Sequence, residues 1–125
     1  SLIIDDHFNP DISSLILNYS LISLKQIDIG NDCFKNVTRF EIDGLNELKT
    51  ISIGKNSFNL DEKIEGSKCL IMNCDQLSEI HIGYQSFYWW YESFELNNLF
   101  SLISIQLDKY VFYWCHRIVF ESMNN

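Results

Sequence analysis

Apolar and polar residues follow one recurring pattern along most of this chain. The segment LKQIDIGNDCF, which begins at Leu24, returns as LKTISIGKNSF at Leu48, as LSEIHIGYQSF at Leu77 and, in altered form, as LISIQLDKYVF at Leu102. These copies start 24, 29 and 25 residues apart. A period in this range is typical of a solenoid, in which each repeat packs only on its neighbours.

The first part of each unit predicts a short β-strand. Alternation with a period of two points Ile27 and Ile29 inward and leaves Gln26 and Asp28 on the outer face. The equivalent apolar sets in the other copies are Leu48, Ile51 and Ile53; Leu77, Ile80 and Ile82; and Leu102, Ile105 and Leu107. Leu2 and Ile4 predict the end of an earlier strand of the same kind.

A corner is predicted directly after this strand. Glycine stands there as Gly30, Gly54 and Gly83, where a positive φ would cost little, and Asp108 takes the place in the last copy. Four residues further on, each copy carries a phenylalanine. We expect these rings to stack into an internal column: Phe34, Phe58, Phe87 and Phe112.

A second short strand follows the corner, with Phe40 and Ile42 inward and Glu41 outward. Its counterparts are Leu15 with Leu17, Cys69 with Ile71, Phe94 with Leu96, and residues around Val119. The predicted fold is mainly β: a leucine-rich-repeat solenoid of about four to five coils with two short parallel strands per coil. It would occupy residues 1–125 as one domain, which we interpret as a fragment of a longer repeat array.

The unit IxIGxxSF followed by FxIxxLxxL resembles the BspA-like branch of the leucine-rich repeat family, in the form expanded in many protists. The resemblance covers essentially the whole chain. One stretch is similar to the C-x-I-x-N-C-x-x-L variant of these repeats through Cys69, Ile71, Asn73, Cys74 and Leu77. The departures are Asp108 in place of glycine and the altered second strand after His116.

This resemblance implies a surface, adhesion or protein-interaction module, and it carries no catalytic residue set. It therefore favours an extracellular or cell-surface location and a non-enzymatic module for protein or glycan recognition. The alternative is a structural building block of a filament, sheath or larger assembly, which would self-assemble through the solenoid ends.

Charge and residue content argue against several classes of function. Nine basic residues stand against seventeen acidic ones, for a net charge of -8, and no cluster of Lys and Arg suits nucleic acid. No apolar run approaches the roughly 20 residues of a membrane span. His81 lies near Glu79, but His7 and His116 fall at non-equivalent places in other coils, so no metal site is predicted. We expect no cofactor and no enzymatic activity.

The cysteines do not form a disulfide, zinc or redox pattern. In the repeat register Cys69 takes the place of Phe40, and Cys74 takes the place of Leu45. Both are therefore predicted to be core residues, whereas Cys33 and Cys115 are assigned to turns.

The outward positions of the first strand form one candidate binding surface, a polar ladder across the coils. Its members are Gln26, Asp28, Thr50, Ser52, Glu79, His81, Ser104 and Gln106. Solenoids commonly bind partners on such a concave face. A solvated face without a partner explains the same pattern.

An aromatic patch is the second candidate. Its predicted members are Tyr88, Trp89, Trp90, Tyr91, Tyr113 and Trp114. The register places Tyr88 beside Tyr113 and Trp89 beside Trp114. Exposed aromatics at this density favour an interface, and packing of the rings against each other is the competing interpretation.

The extra residues of one coil lie between Asn59 and Lys68 and are mostly polar or charged. Insertions in solenoids collect on loops of one face. This segment is either a binding loop or a tolerated surface bulge.

Overall fold

The computed structural model describes residues 1–123 as a β-solenoid of five coils. The first strands of the coils are β1 (Leu2–Ile4), β3 (Gln26–Ile29), β5 (Thr50–Ile53), β7 (Glu79–Ile82) and β9 (Ser104–Leu107). The second strands are β2 (Ser14–Leu17), β4 (Arg39–Asp43), β6 (Lys68–Met72), β8 (Ser93–Leu99) and β10 (Ile118–Met123). A 3-10 turn spans Tyr19–Leu21. Asn124 and Asn125, which the predicted domain includes, lie outside the described residues.

The two strand sets form two five-stranded parallel sheets, ordered β1-β3-β5-β7-β9 and β10-β8-β6-β4-β2. Coil 1 comprises β1 and β2, coil 2 comprises β3 and β4, and so on to coil 5 with β9 and β10. This confirms the predicted mainly β solenoid with two parallel strands per coil. The register of neighbouring strands equals the repeat register, since Ile27 pairs with Ile51 and Ile51 with Ile80.

The core is formed by the inward residues of both sheets. Ile27, Ile29, Phe40 and Ile42 are fully buried or nearly so, as alternation predicts. Cys69 and Cys74 are also buried, which confirms them as core residues. Cys33 lies at a corner as predicted, but it is buried too. The Cys33 thiol lies 3.1 Å from the carbonyl oxygen of Asp5 in the preceding coil and donates a hydrogen bond to it.

The phenylalanine column is confirmed. Ring centroids are 5.2 Å apart between Phe34 and Phe58, 4.5 Å between Phe58 and Phe87, and 4.6 Å between Phe87 and Phe112, all stacked. All four rings are buried. In coil 1 the column ends on Phe8, which packs edge-on against Phe34 at 5.6 Å.

The explanation offered for the corner glycines is wrong. Their φ angles are not positive; the left-handed residues lie two and four positions further on, for example Asn56 (φ 56) and Phe58 (φ 54). The glycines are needed because adjacent coils approach closely. A Cβ at Gly54 would lie 2.7 Å from the carbonyl carbon of Gly30, and one at Gly83 would lie 2.8 Å from that of Gly54.

Buried serines join the coils next to these glycines. The hydroxyl of Ser86 accepts a hydrogen bond from the backbone N–H of Ser57 and donates one to the carbonyl of Gly54. The hydroxyl of Ser57 does the same with the N–H of Cys33 and the carbonyl of Gly30. Each serine thus satisfies two backbone groups that the corner leaves without partners.

The last coil keeps its second strand. Residues around Val119 form β10, and Val119 itself pairs with Glu95 on the outer face. Ile118 and Phe120 take the inward register opposite Phe94 and Leu96, yet both are about half exposed because they belong to the last described coil.

Candidate binding surface

Aromatic side chains of coils 4 and 5 pack in pairs on the corner that follows the phenylalanine column. Tyr88 stacks on Tyr113 with ring centroids 5.3 Å apart and planes 2° from parallel. Trp89 stacks on Trp114 at 6.3 Å and 10°. Both neighbour relations match the register prediction. The pairs stand nearly perpendicular to each other, with 85° between the rings of Tyr113 and Trp114.

Trp90 does not belong to this surface, so its inclusion in the aromatic patch is wrong. Its side chain is fully buried and packs edge-on against Phe87 at 4.8 Å and against Phe58 at 5.9 Å. Its backbone N–H bonds to the carbonyl of Phe87, and its chain pairs with Ile64 of the insertion. Trp90 is therefore a core residue covered by the inserted segment.

Two tyrosines that the sequence interpretation missed extend the surface. Tyr84 and Tyr110 are exposed and meet edge-on at 5.8 Å. Tyr110 also contacts Tyr88 at 6.4 Å and Tyr113 at 5.5 Å. Their place in the corner turns after Gly83 and Asp108 was the sequence signal that could have assigned them to this surface. We call the whole surface the aromatic face: Tyr84, Tyr88, Trp89, Tyr91, Tyr110, Tyr113 and Trp114.

The exposure of the aromatic face increases toward coil 5. Tyr88, Trp89 and Tyr91 are half-buried because the next coil stacks on them. The coil 5 members are open, with 53% of Tyr113 and 43% of Trp114 exposed to solvent.

The insertion between Asn59 and Lys68 packs beside the aromatic face. The Lys63 ammonium lies 5.0 Å from the ring centroid of Tyr91 and 5.4 Å from that of Trp114. The hydroxyl of Ser67 accepts a hydrogen bond of 2.7 Å from the backbone N–H of Tyr91. The two features that the sequence suggested separately, the extra residues and the aromatic cluster, are therefore neighbours.

The polar ladder lies on the outer face of the first sheet in two columns. Gln26, Thr50, Glu79 and Ser104 form one column. Asp28, Ser52, His81 and Gln106 form the other. Its members are half-buried or exposed.

One contact ties the ladder to the last corner. Nε2 of His81 lies 3.2 Å from Oδ2 of Asp108, and Gln106 donates a hydrogen bond to Oδ1 of the same carboxylate. The hydrogen bond from His81, and next to it that from Gln106, hold the pKa of Asp108 below its ordinary value. Asp108 is thus engaged in a local polar network.

Burial disfavours the thiolate form of three cysteines, Cys69, Cys74 and Cys115. Burial raises the pKa of Cys69 well above its ordinary value and that of Cys74 to about 11. Burial also raises the pKa of Cys115. A raised pKa lowers the fraction of the reactive thiolate at neutral pH.

Within residues 1–123, no group of three or more His, Cys, Asp or Glu side chains is placed to hold a metal ion. No helix in this part of the chain is long and apolar enough to span a membrane. Comparison with family models, curated proteins and solved structures yields no match. The resemblance to BspA-like repeats therefore stays an expectation.

Proposed function

We propose that this chain is a non-enzymatic recognition module whose aromatic face contacts a protein partner. The supporting observation is a pair of stacked aromatic pairs on one corner, in which Tyr113 and Trp114 are exposed. Tyrosine and tryptophan are enriched at the energetic centres of protein interfaces, because they combine a large apolar area with a polar group.

The position of the aromatic rings supports recognition over packing alone. At the places that Tyr88 and Trp89 occupy in coil 4, coil 2 carries Lys35 and Asn36. Coil 2 folds in the same way as coil 4 without aromatic residues at these places. The stacked pairs are therefore not a requirement of the solenoid, and a binding role accounts for their confinement to coils 4 and 5.

Ring geometry favours a protein over a glycan. A sugar binds aromatic residues by laying its C–H groups on a free ring face. The faces of Tyr88 and Tyr113 toward each other are closed, because their centroids are 5.3 Å apart, and Trp89 and Trp114 are too close to admit a further ring. Tyr113 and Trp114 keep exposed ring surface, but their planes are 85° apart and so form no single flat platform for a sugar, whereas protein side chains can contact each ring separately.

The test is capture of binding proteins from cells that produce the chain, quantified for matched variants. Trp89→Ser with Trp114→Ser removes the stacked indole pair, and Ser104→Ala with Gln106→Ala alters the polar ladder. We expect the first variant to lose the captured protein and the second to retain it, with unchanged circular dichroism for both. Loss only with the ladder variant would move the site to the first sheet, and unchanged capture by both would refute the proposal.

A further inference from the structure

Two rings of the aromatic face already hold a cation. Lys63 places its ammonium 5.0 Å from the centroid of Tyr91 and 5.4 Å from that of Trp114. An ammonium within about 6 Å of a ring centroid is attracted by the ring quadrupole. His116 stacks on Tyr91 at 5.7 Å and backs the first of these rings. The arrangement is an open aromatic site for one positively charged group.

In the described part of the chain, the Lys63 ammonium contacts aromatic rings and forms no ion pair with a carboxylate. Among residues 1–123, no carboxylate oxygen lies within ion-pair distance of the Lys63 ammonium. Acidic residues nevertheless surround it along the chain: Asp61, Glu62 and Glu65 are all exposed. The local charge therefore favours a cation at this place whether or not Lys63 supplies it.

Two buried polar atoms in or next to the segment that carries Lys63 lack hydrogen-bond partners among residues 1–123. Nε1 of Trp90 and Oδ1 of Asn59 are buried without hydrogen-bond partners. Trp90 pairs with Ile64 of the insertion in a parallel β-bridge, and Asn59 begins the insertion. A buried acceptor without a partner destabilises the place where it lies, so the Asn59 oxygen lowers the cost of moving the inserted segment away from the rings.

We infer that Tyr91 and Trp114 form a binding site for a lysine or arginine side chain of a protein partner, and that Lys63 occupies this site until the partner displaces it. The inference rests on the proposed function, because it specifies the chemistry of the partner at the same face. Charge complementarity carries it: the chain has a net charge of -8, and Asp61, Glu62 and Glu65 flank Lys63 in the sequence.

The experiment titrates the 125-residue chain with the peptide acetyl-Gly-Lys-Gly-Arg-Gly-amide and follows the indole N–H signal of Trp114 by NMR. Lys63→Met keeps the apolar stem and removes the competing charge. We expect this variant to bind the peptide roughly two- to fivefold more tightly than the wild type, the change that one exposed cation–π contact produces. Trp114→Leu should abolish the saturable response, and a peptide carrying acetyl-lysine and citrulline should give none.

Lys55→Met is the matched control, because it removes the same charge from an exposed corner, and the cation–π contacts to Tyr91 and Trp114 are made by Lys63 and not by Lys55. If Lys63→Met and Lys55→Met raised the peptide affinity equally, net charge alone would explain the change, and the inference would be overturned. No gain in Lys63→Met, or full binding by Trp114→Leu, would overturn it as well. Partner capture that depends on Trp114 without any peptide binding would reject the cation site and leave the recognition role standing.

Discussion

Each residue of the corner motif has a distinct physical task. Gly54 leaves room for the backbone of the preceding coil, Ser57 joins the N–H of Cys33 to the carbonyl of Gly30, and Phe58 turns the chain in a left-handed conformation while it stacks in the core. A bulky residue at positive φ is energetically unfavourable. Burial of the ring between two other phenylalanines compensates for this cost.

The same substitution should be tolerated at one kind of glycine corner and should strongly destabilise the fold at the other. Gly44 has a φ of 74° and open space around it, and the equivalent places in the next coils hold Asn73 and Asn98, also at positive φ. We expect Gly44→Asn to change the free energy of unfolding by less than about 1 kcal/mol, since asparagine tolerates this region. Gly54→Asn should prevent folding or lower the melting temperature strongly, because its Cβ would meet the backbone of Gly30. Thermal unfolding followed by circular dichroism measures both, and equal stability of the two variants would contradict the distinction.

The buried serines should contribute more than ordinary surface hydroxyls. Ser86→Ala leaves the N–H of Ser57 and the carbonyl of Gly54 buried without partners, so we expect a loss of about 2–4 kcal/mol in the free energy of unfolding. Ser101→Ala is the control, because its exposed hydroxyl donates to the carbonyl of Asp75 and water can replace it. We expect that variant to stay within about 0.5 kcal/mol of the wild type in urea titrations. A Ser86→Ala variant as stable as the control would show that the serine links are not needed.

The buried thiol of Cys74 should make stability fall at alkaline pH. Burial raises the pKa of Cys74 from its ordinary 9.0 to about 11 in the folded state. The neutral thiol is favoured by the fold, so its contribution is complete below pH 9.0 and is lost as the pH rises through about 11. Urea unfolding across this window should show a steeper decline for the wild type than for Cys74→Ala. Parallel declines would mean that the thiol is not protected.

At the scale of the strand and the corner, the sequence predicted the repeated strands and their register. It could not predict the side-chain contacts that join one coil to another. Period-two alternation was sufficient for the strands and their register, because the inward faces of coils 2 to 4 are buried. The exposure of Trp90 was misjudged because its ring packs on Phe58 of another coil, and its chain pairs there with Ile64 of the insertion. The contact of Lys63 with Trp114 spans two coils and depends on the path of the inserted loop, which no periodicity specifies.

The phenylalanine column is the element whose interruption should be most costly. Phe87 is fully buried and contacts Phe58, Trp90 and Phe112 at 4.5–4.8 Å. We expect Phe87→Ala to lower the free energy of unfolding by about 3–5 kcal/mol, because the rigid stack on both sides cannot close the cavity. Phe100→Ala, at an exposed position outside the column, should cost less than about 0.5 kcal/mol. Comparable losses in denaturant titrations would argue that the column does not carry the stability.

Over the whole molecule, the departures from the repeat gather on one side. The insertion of coil 3, the aromatic residues of coil 4 and those of coil 5 all lie on the segment between the first and second strands. Equivalent segments of successive coils stack, so changes at the same place in each repeat produce one continuous surface. Recognition by this face requires only a single chain.

End-to-end stacking of two copies of this 125-residue segment, one form of the alternative role, meets an obstacle in the same stacking geometry. Continuing the solenoid in register would set coil 1 of a second copy on coil 5, with its Asp5 in the position of the close-approach glycines and its Asn9 on Phe112. Two carboxylates, those of Asp5 and Asp108, would be brought together, and a polar residue would interrupt the aromatic column. We therefore expect light scattering to report the monomer mass at every concentration tested. Asp5→Gly with Asp108→Gly removes the charge conflict, so any concentration-dependent assembly should appear first in this variant. Assembly of the wild-type chain would contradict the argument and favour the filament role.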